Sequence, residues 1–263
     1  MPSPHTNIRS IKIILQLKKY SIKMCYNITQ GGFMQKYTKI LLIILILLTM
    51  TACKEKAKET KKEETKVEEK IVTEEITEGT IEGYSFKEVD KPTDRVKIQM
   101  ENGDIILIVL SNKDTPITIK NFKKLVSQNY YDGLIFHRVI KDFMIQTGDP
   151  TGTGAGGSEE EIKGEFSDNG VKNNLSHTRG VVSMARRGAR VESAATWNSA
   201  SSQFFIVHED STYLDGKYAA FGRVFAGMSA VDKIANAETD SNDKPLKEQK
   251  IKSIRFIEIT KED

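Results

Sequence analysis

The feature that most limits the fold is a rhythm. From about residue 91 onward, short alternating apolar runs are separated by turn signals, and only two stretches have helical spacing. Val96-Lys97-Ile98-Gln99-Met100 alternates as a strand, Asn102-Gly103 marks a hairpin turn, and Ile105 to Leu110 returns. Further strands are predicted at Phe136 to Lys141, from Phe143-Met144-Ile145, and over Gly180 to Ala185, Gln203 to Val207, Ala220 to Phe225 and Ile251 to Ile259. Thr115-Pro116 reads as an N-cap followed by proline at the first helical position, and Ile119, Phe122 and Val126 give that helix, ending near Gln128, one apolar face. A second helix is predicted over Met228 to Ala235. Strands that do not alternate with helices argue against a parallel βαβ sheet. An antiparallel barrel closed by two helices fits the pattern.

The chain has 263 residues, and its first third cannot build such a core. Residues 1–53 carry Lys and Arg but no Asp or Glu, so the remainder is net acidic and the positive charge of the leader outweighs it to give the formal net charge of +3. A basic balance confined to a leader does not point to nucleic acid, and no basic stripe or zinc spacing follows. Lys36 and Lys39 precede the apolar run Ile40 to Leu48, then Thr49-Met50-Thr51-Ala52-Cys53, the layout of a secretory signal. The run is too short for a spanning helix, which needs about 20 apolar residues. A small residue directly before Cys53 resembles the bacterial lipobox, with Met50 and Thr51 a loose version of it. On that reading Cys53 carries lipid; the alternative is an ordinary cleaved signal in which Cys53 is incidental.

Met34 begins a complete signal, so residues 1–33 are read as leader translated from upstream DNA. Cys25 is the other cysteine, and the domain downstream has no thiol for disulfide or redox chemistry. Lys54 to Thr80 is mostly Lys, Glu and Thr and cannot bury enough surface to offset chain entropy. A short coiled coil is the alternative, but no sustained apolar heptad supports it. The expected organisation is therefore a leader at 1–33, a lipoprotein signal at 34–53, a flexible tether at 54–90 and a folded domain at 91–263. The expected location is the cell envelope, lipid-anchored to a bacterial membrane with the domain, a monomer, outside the cytoplasm.

Within the folded part, Phe136-His137-Arg138-Val139-Ile140-Lys141-Asp142-Phe143-Met144-Ile145-Gln146-Thr147-Gly148-Asp149 stands out. Phe136, Arg138 and Ile140 alternate with His137, Val139 and Lys141, so His137 is expected to point away from whatever Arg138 faces. Arg138 is permanently charged, with five donors in a planar fork, in an otherwise apolar and aromatic setting. It must either pair with a carboxylate such as Asp149, as a structural arginine, or line a cleft. Thr151-Gly152-Thr153-Gly154-Ala155-Gly156-Gly157 lacks the lysine of a phosphate loop and reads as a tight loop using positive φ. His5, His137, His177 and His208 show no ligand spacing, so no metal is expected. Ser183 and Ser202 lack a nucleophile-elbow context.

The stretch 136–149 resembles the active-site segment of the cyclophilins, the peptidyl-prolyl cis-trans isomerases. The resemblance extends over about residues 94–260 through Thr178-Arg179-Gly180-Val181-Val182-Ser183-Met184-Ala185, Ser202-Gln203-Phe204-Phe205-Ile206 and Leu214-Asp215-Gly216-Lys217. It implies an eight-stranded closed barrel capped by two helices. It places the catalytic arginine on Arg138, the proline pocket on Phe143, Met144, Phe205 and Leu214, and hydrogen-bonding glutamines on Gln146 and Gln203. Ala185 and Arg186 fall where the residue before proline is contacted, and Gly154 lines the adjoining groove. Tyr213 stands where the family often has Trp, which donates to cyclosporin-type ligands, and Tyr218 where it often has His. Ala185-Arg186 replaces a frequent Ala-Asn and precedes a longer loop, Arg187 to Ser201. That loop contains Trp197, either an exposed aromatic or a substrate contact.

The implied chemistry needs no cofactor. The peptide bond resists rotation with a barrier of about 18–20 kcal/mol because the nitrogen lone pair is delocalised. A fixed donor aimed at that nitrogen is stronger in the twisted state than in either planar one. Arg138 supplies the donor, the apolar cup holds the pyrrolidine ring, and Gln146 is expected to orient Arg138 and bind substrate backbone. The partners implied are proline-containing polypeptides, unfolded or exported. The reading is an isomerase assisting their folding at the envelope; the alternative is a proline-recognising chaperone or adhesion module in which isomerisation is incidental.

Overall fold

Thirteen regular elements other than short 3-10 turns follow one another in the computed structural model, which describes residues 74–111, 113–188 and 190–262. They are β1 (Glu78–Ile81), β2 (Tyr84–Glu88), β3 (Arg95–Met100), β4 (Ile105–Leu110), α1 (Pro116–Ser127), β5 (Arg138–Ile140), β6 (Met144–Thr147), β7 (Val181–Met184), α2 (Ala194–Trp197), β8 (Phe204–Val207), β9 (Ala220–Ala226), α3 (Met228–Ala235) and β10 (Ile251–Glu262). The expected leader and signal, Cys25, Cys53 and the tether as far as residue 73 lie outside the described residues.

The strands form one sheet in the order β1-β2-β10-β3-β4-β9-β7-β8-β6-β5, with antiparallel neighbours throughout. The expected closed eight-stranded barrel is corrected on two counts. The ladder is open: β5 is only three residues long and pairs with β6, and the chain before it meets the segment entering β10 only as an isolated bridge, Ile135 to Lys250, outside the named strands. The count is ten because β1 and β2 come from residues 78–88, inside the stretch expected to be tether. Thr80 and Glu82 do not make this stretch solvated chain. Phe86 is buried with Leu107 and Ile257, and Ile76, Ile81 and Tyr84 pack around them. This hairpin explains why Ile105 to Leu110 is a continuous apolar run. Ile106, Ile108 and Leu110 face the main core, while Ile105 and Leu107 face the hairpin's cluster, so both faces of β4 are covered.

Both expected helices are present and lie on the main core, α1 through Ile119, Phe122, Leu125 and Val126 and α3 through Ala230, Val231 and Ile234. Phe122 sits at the centre of an aromatic nest, 5.2–5.5 Å from the rings of Tyr131, Phe204 and Phe221. Thr115 precedes α1 but does not cap it with its side chain; its hydroxyl donates to the Ser111 carbonyl. The cap is Glu165, whose carboxylate accepts from Ile117 N (3.0 Å) and Thr118 N (2.7 Å), a charged acceptor at the positive end of the helix. A partner so distant in sequence leaves no local signature.

Strand alternation then sorts β5–β8 between two faces. Val139, Ile145, Val182, Met184, Phe204 and Ile206 enter the main core. The opposite face carries a smaller cluster of Met144, Val181, Phe205, Val207, Leu214 and Ala220, with Ile140 and Phe143 against it. Pairing register lines up Arg138 with Gln146, Gln146 with Phe205, and Phe205 with Ser183, a single row across four strands.

Candidate active site

That row and the loops beside it enclose two adjoining cavities. The smaller, about 270 Å³, is lined by Arg138, Phe143, Met144, Gln146, Phe205, Leu214 and Tyr218, together with His137, Thr153, Gly154, Ala185, Arg186 and Asn242. The larger, about 440 Å³, shares Gln146, Gly154, Ala185 and Arg186 with it and adds Gln203, Glu161, Arg187 and the glycine-rich loop. The expected apolar cup and the guanidinium lie together in the smaller one. Every expected pocket residue lines one or both cavities except Tyr213. Tyr213 stands at the rim, 61% exposed, with its ring 5.9 Å from that of Phe143.

Arg138 is half-exposed, and its side-chain partner is neither Asp149 nor Gln146. Its Nε lies 3.4 Å from Oδ2 of Asp243, 105 residues away. Asp243 reaches it from a turn in which Asp240 Oδ1 accepts from Asn242 N and Lys244 N. The Asp243 carbonyl accepts from Val139 N at 2.8 Å, which docks the turn on β5. Gln146 was expected to orient Arg138. It instead donates from Nε2 to Gln203 Oε1 at 2.8 Å, and Gln203 in turn donates to the carbonyls of Gly154 and Gly156. The two glutamines thus form a chain that holds the glycine-rich loop against the row.

Asp149 is consumed by that loop. Its buried carboxylate accepts from the backbone N–H groups of Thr151, Thr153, Gly154 and Gly156 and from the Thr151 hydroxyl. Burial raises its pKa, but these donors outweigh that and bring it to about 2. Gly154 has φ of +86°, the loop geometry that glycine supplies. Gly148 is required for a second reason: a Cβ there would lie 2.3 Å from the Ser202 carbonyl oxygen.

His137 corrects the alternation read from sequence. β5 begins only at Arg138, so the residue before it is not bound to strand geometry, and His137 lines the same cavity as Arg138. Its side chain is buried, and neither ring nitrogen has a hydrogen-bond partner among the described residues. Burial pushes its pKa below the ordinary imidazole value, opposed by the charge of Asp149.

Arg186 forms the wall between the cavities with its charge already engaged. Its guanidinium lies 4.7 Å from the Tyr218 ring centroid and 5.4 Å from that of Phe166, and it pairs with Glu192 at 2.8 Å. Arg187 pairs with Glu161 across the larger cavity's rim. Trp197 is neither of the alternatives considered for it: it is half-buried and packs on the main core. Asp243 beside Arg138, and His137, Thr153 and Asn242 in the smaller cavity's lining, are the residues that sequence reasoning did not assign to the site. Asp149 was named as a partner for Arg138 and instead holds the loop.

A family model described as cyclophilin type peptidyl-prolyl cis-trans isomerase/CLD matches residues 95–256. The chain belongs to the cyclophilin family. It is similar to the isomerase ppi1 of Schizosaccharomyces pombe (45% identical; 59% of this chain, 94% of the relative). It is also similar to the isomerase-like 1 protein of Emericella nidulans (41% identical; 59% of this chain, 91% of the relative). Among solved structures, a cyclophilin type isomerase of Cryptosporidium parvum matches with a TM-score of 0.55 and 34% identity, over 62% of this chain and 96% of that one. A second structure of it, determined in the presence of the dipeptide Ala-Pro, matches with the same TM-score at 33% identity. The protein is a cyclophilin-type peptidyl-prolyl cis-trans isomerase. Its hairpin β1–β2 lies outside the span that the family model matches.

Proposed function

We propose that the 270 Å³ cavity is where this cyclophilin turns over X-Pro bonds, with Arg138 as the catalytic donor and Phe143, Met144, Phe205 and Leu214 as the cup for the pyrrolidine ring. The observation that carries this reading is the position of Arg138. It is a half-exposed guanidinium lining the same cavity as the apolar cup and lying 3.4 Å at Nε from Asp243. An apolar cup excludes water from the ring, and a donor near its edge meets the imide nitrogen when the bond twists and its lone pair localises. The ground states, with the lone pair delocalised, gain less, so the barrier falls without covalent or proton-transfer steps. Gln146 and Gln203, joined to the loop carbonyls, offer the substrate backbone a rigid polar edge, and Gly154 and Ala185 leave room for the residues before proline. The Cryptosporidium structure determined with Ala-Pro supports a proline-containing peptide as the occupant.

The location is part of the proposal. The signal-like segment ending at Cys53 and the charged stretch after it support a lipid-anchored isomerase at a bacterial envelope, acting on exported polypeptides. A protease-coupled isomerisation assay on an X-Pro peptide tests the site: Arg138→Ala is expected to remove most of the rate with unchanged circular dichroism, and near wild-type turnover would overturn the assignment. Membrane fractionation of Cys53→Ser tests the anchor, whose loss is expected to move the protein to the soluble fraction; persistence with membranes places the anchor elsewhere.

A further inference from the structure

The row Arg138–Gln146–Phe205–Ser183 does not stop at β7. Ser183 Oγ lies 2.9 Å from Nε2 of His177, and His177 Nδ1 lies 2.8 Å from Oδ1 of Asp215. The imidazole also stacks on Phe205, with centroids 6.1 Å apart and planes at 19°. Asp215 directly follows the 3-10 turn Thr212–Leu214, which delivers Leu214 to the cup. Asp215 Oδ1 also accepts from the His177 backbone N–H at 2.8 Å, and Oδ2 accepts from the Ser176 hydroxyl. The His177 carbonyl accepts from Ser211 N at the start of the same turn. One buried ring therefore ties together β7, the face of Phe205 and the turn bearing Leu214.

The order of hydrogen bonds, Ser183 to His177 to Asp215, is that of a hydrolase triad. Burial argues against that use: Ser183 is fully buried, His177 is 1% exposed, and neither lines either of the two adjoining cavities. Burial lowers the His177 pKa, so the neutral ring donates from Nδ1 to Asp215 and accepts at Nε2 from the Ser183 hydroxyl. The consequence is a ring fixed in plane and tautomer, and a fixed ring can set the orientation of what packs on it.

We propose that His177 is a positioning residue for the isomerase site, setting Phe205 by its stacked face and Leu214 through Asp215, so that two walls of the proline cup share one support. This rests on the assignment of Phe205 and Leu214 to the cup. Arg138 lies at the far end of the row, so the support acts on how well the ring is held rather than on the donor.

The test is steady-state isomerisation kinetics of the full chain. His177→Phe keeps an aromatic ring against Phe205 and removes both ring hydrogen bonds. It is expected to raise KM about tenfold with kcat within about twofold of wild type, since lost hydrogen bonds here loosen binding. Ser183→Ala removes only the Nε2 partner and is expected to raise KM about threefold. Both are compared at equal folded fraction, set by thermal unfolding, because a merely structural role lowers the unfolding midpoint without moving KM. If His177→Phe does not fold, Ser183→Ala decides. KM within twofold of wild type in the folded variants overturns the proposal. Arg138→Ala, run in parallel, separates the failures. Its full activity would sink the site assignment itself, whereas its inactivity beside unchanged KM in the His177 and Ser183 variants would sink only the positioning role.

Discussion

Lys97 and Arg138 are both cations on strands among apolar neighbours, and the structure treats them in opposite ways. Lys97, at the hairpin end of the sheet, is fully buried. Its Nζ contacts Glu88 closely, donates to the Ile76 carbonyl at 2.5 Å and Gln99 Oε1 at 3.0 Å, and lies 3.9 Å from Glu75. Burial lowers its pKa, and the two carboxylates oppose that. Arg138, at the other end of the strand order, is half-exposed, with one side-chain partner at 3.4 Å and an open cavity beside it. A buried charge must be surrounded by partners or it destabilises the fold. A charge left with donors to spare at a cavity is available to something outside the chain. The same residue class thus serves structure at one end and, on the proposed function, chemistry at the other, and the number and quality of partners separate the two.

Substitution at the two positions should therefore move different observables. Arg138→Ala is expected to lower kcat/KM about 10²- to 10³-fold, the usual cost of removing one transition-state donor, with the denaturation midpoint unchanged. Lys97→Met should do the reverse: a loss of about 3 kcal/mol in urea unfolding, from leaving Glu88 without its cation, and turnover within about twofold. Adding Glu88→Leu to it should restore much of the stability, because an apolar pair replaces the ionic one. If Lys97→Met impaired turnover as strongly as stability, the division between the two ends would collapse.

Three smaller effects sharpen the description of the site end. Tyr213 presents its hydroxyl from an exposed ring at the rim, so a cyclosporin-type ligand fitted to an indole donor should bind about tenfold weaker than to Tyr213→Trp, with X-Pro turnover equal in both. Equal inhibitor dissociation constants would transfer control to the loop 187–201. Asp243→Asn should lower kcat several-fold and leave KM nearly unchanged, since the amide retains the turn but holds the guanidinium less firmly. The last effect is pH-dependent. The Asp149 pKa is about 2, against an ordinary 3.8, so the unfolded chain binds the proton first. The stability that Asp149 contributes is complete above pH 3.8 and is lost as pH falls toward 2. The difference in unfolding free energy between wild type and Asp149→Asn should shrink across that window; a constant difference would mean that the loop does not depend on the carboxylate charge.

Local patterns carried most of the elements. Asn102-Gly103 between alternating strands, Pro116 opening α1, and the apolar spacing of Met228 to Ala235 each depend on neighbours within a few residues, and each is present. The pocket residues were legible because the segment around Arg138 and the Gln203-Phe204-Phe205 run resemble one family closely. What stayed hidden depends on contacts distant in sequence. Residues 78–88 look like solvated chain until Phe86 meets Leu107 and Ile257, and the cap of α1 comes from Glu165. His137 was misplaced because alternation was extended one residue beyond the strand that imposes it.

By itself the sequence determined that strands would dominate, that two helices would accompany them, and that Arg138, Phe143, Met144, Gln146, Gln203, Phe205 and Leu214 would matter together. The strands and helices follow from side-chain periodicity, which acts over short separations; the grouping of those seven residues came from the resemblance of their segments to the cyclophilins. Only the tertiary structure decided that the sheet is an open ladder of ten strands, that Asp243 rather than Asp149 or Gln146 holds Arg138, and that Asp149 shapes the loop instead. Pairing a charge with one carboxylate among many is a matter of distance and desolvation. Both are set by where the whole chain places the two groups, and neither is written in the spacing of either one.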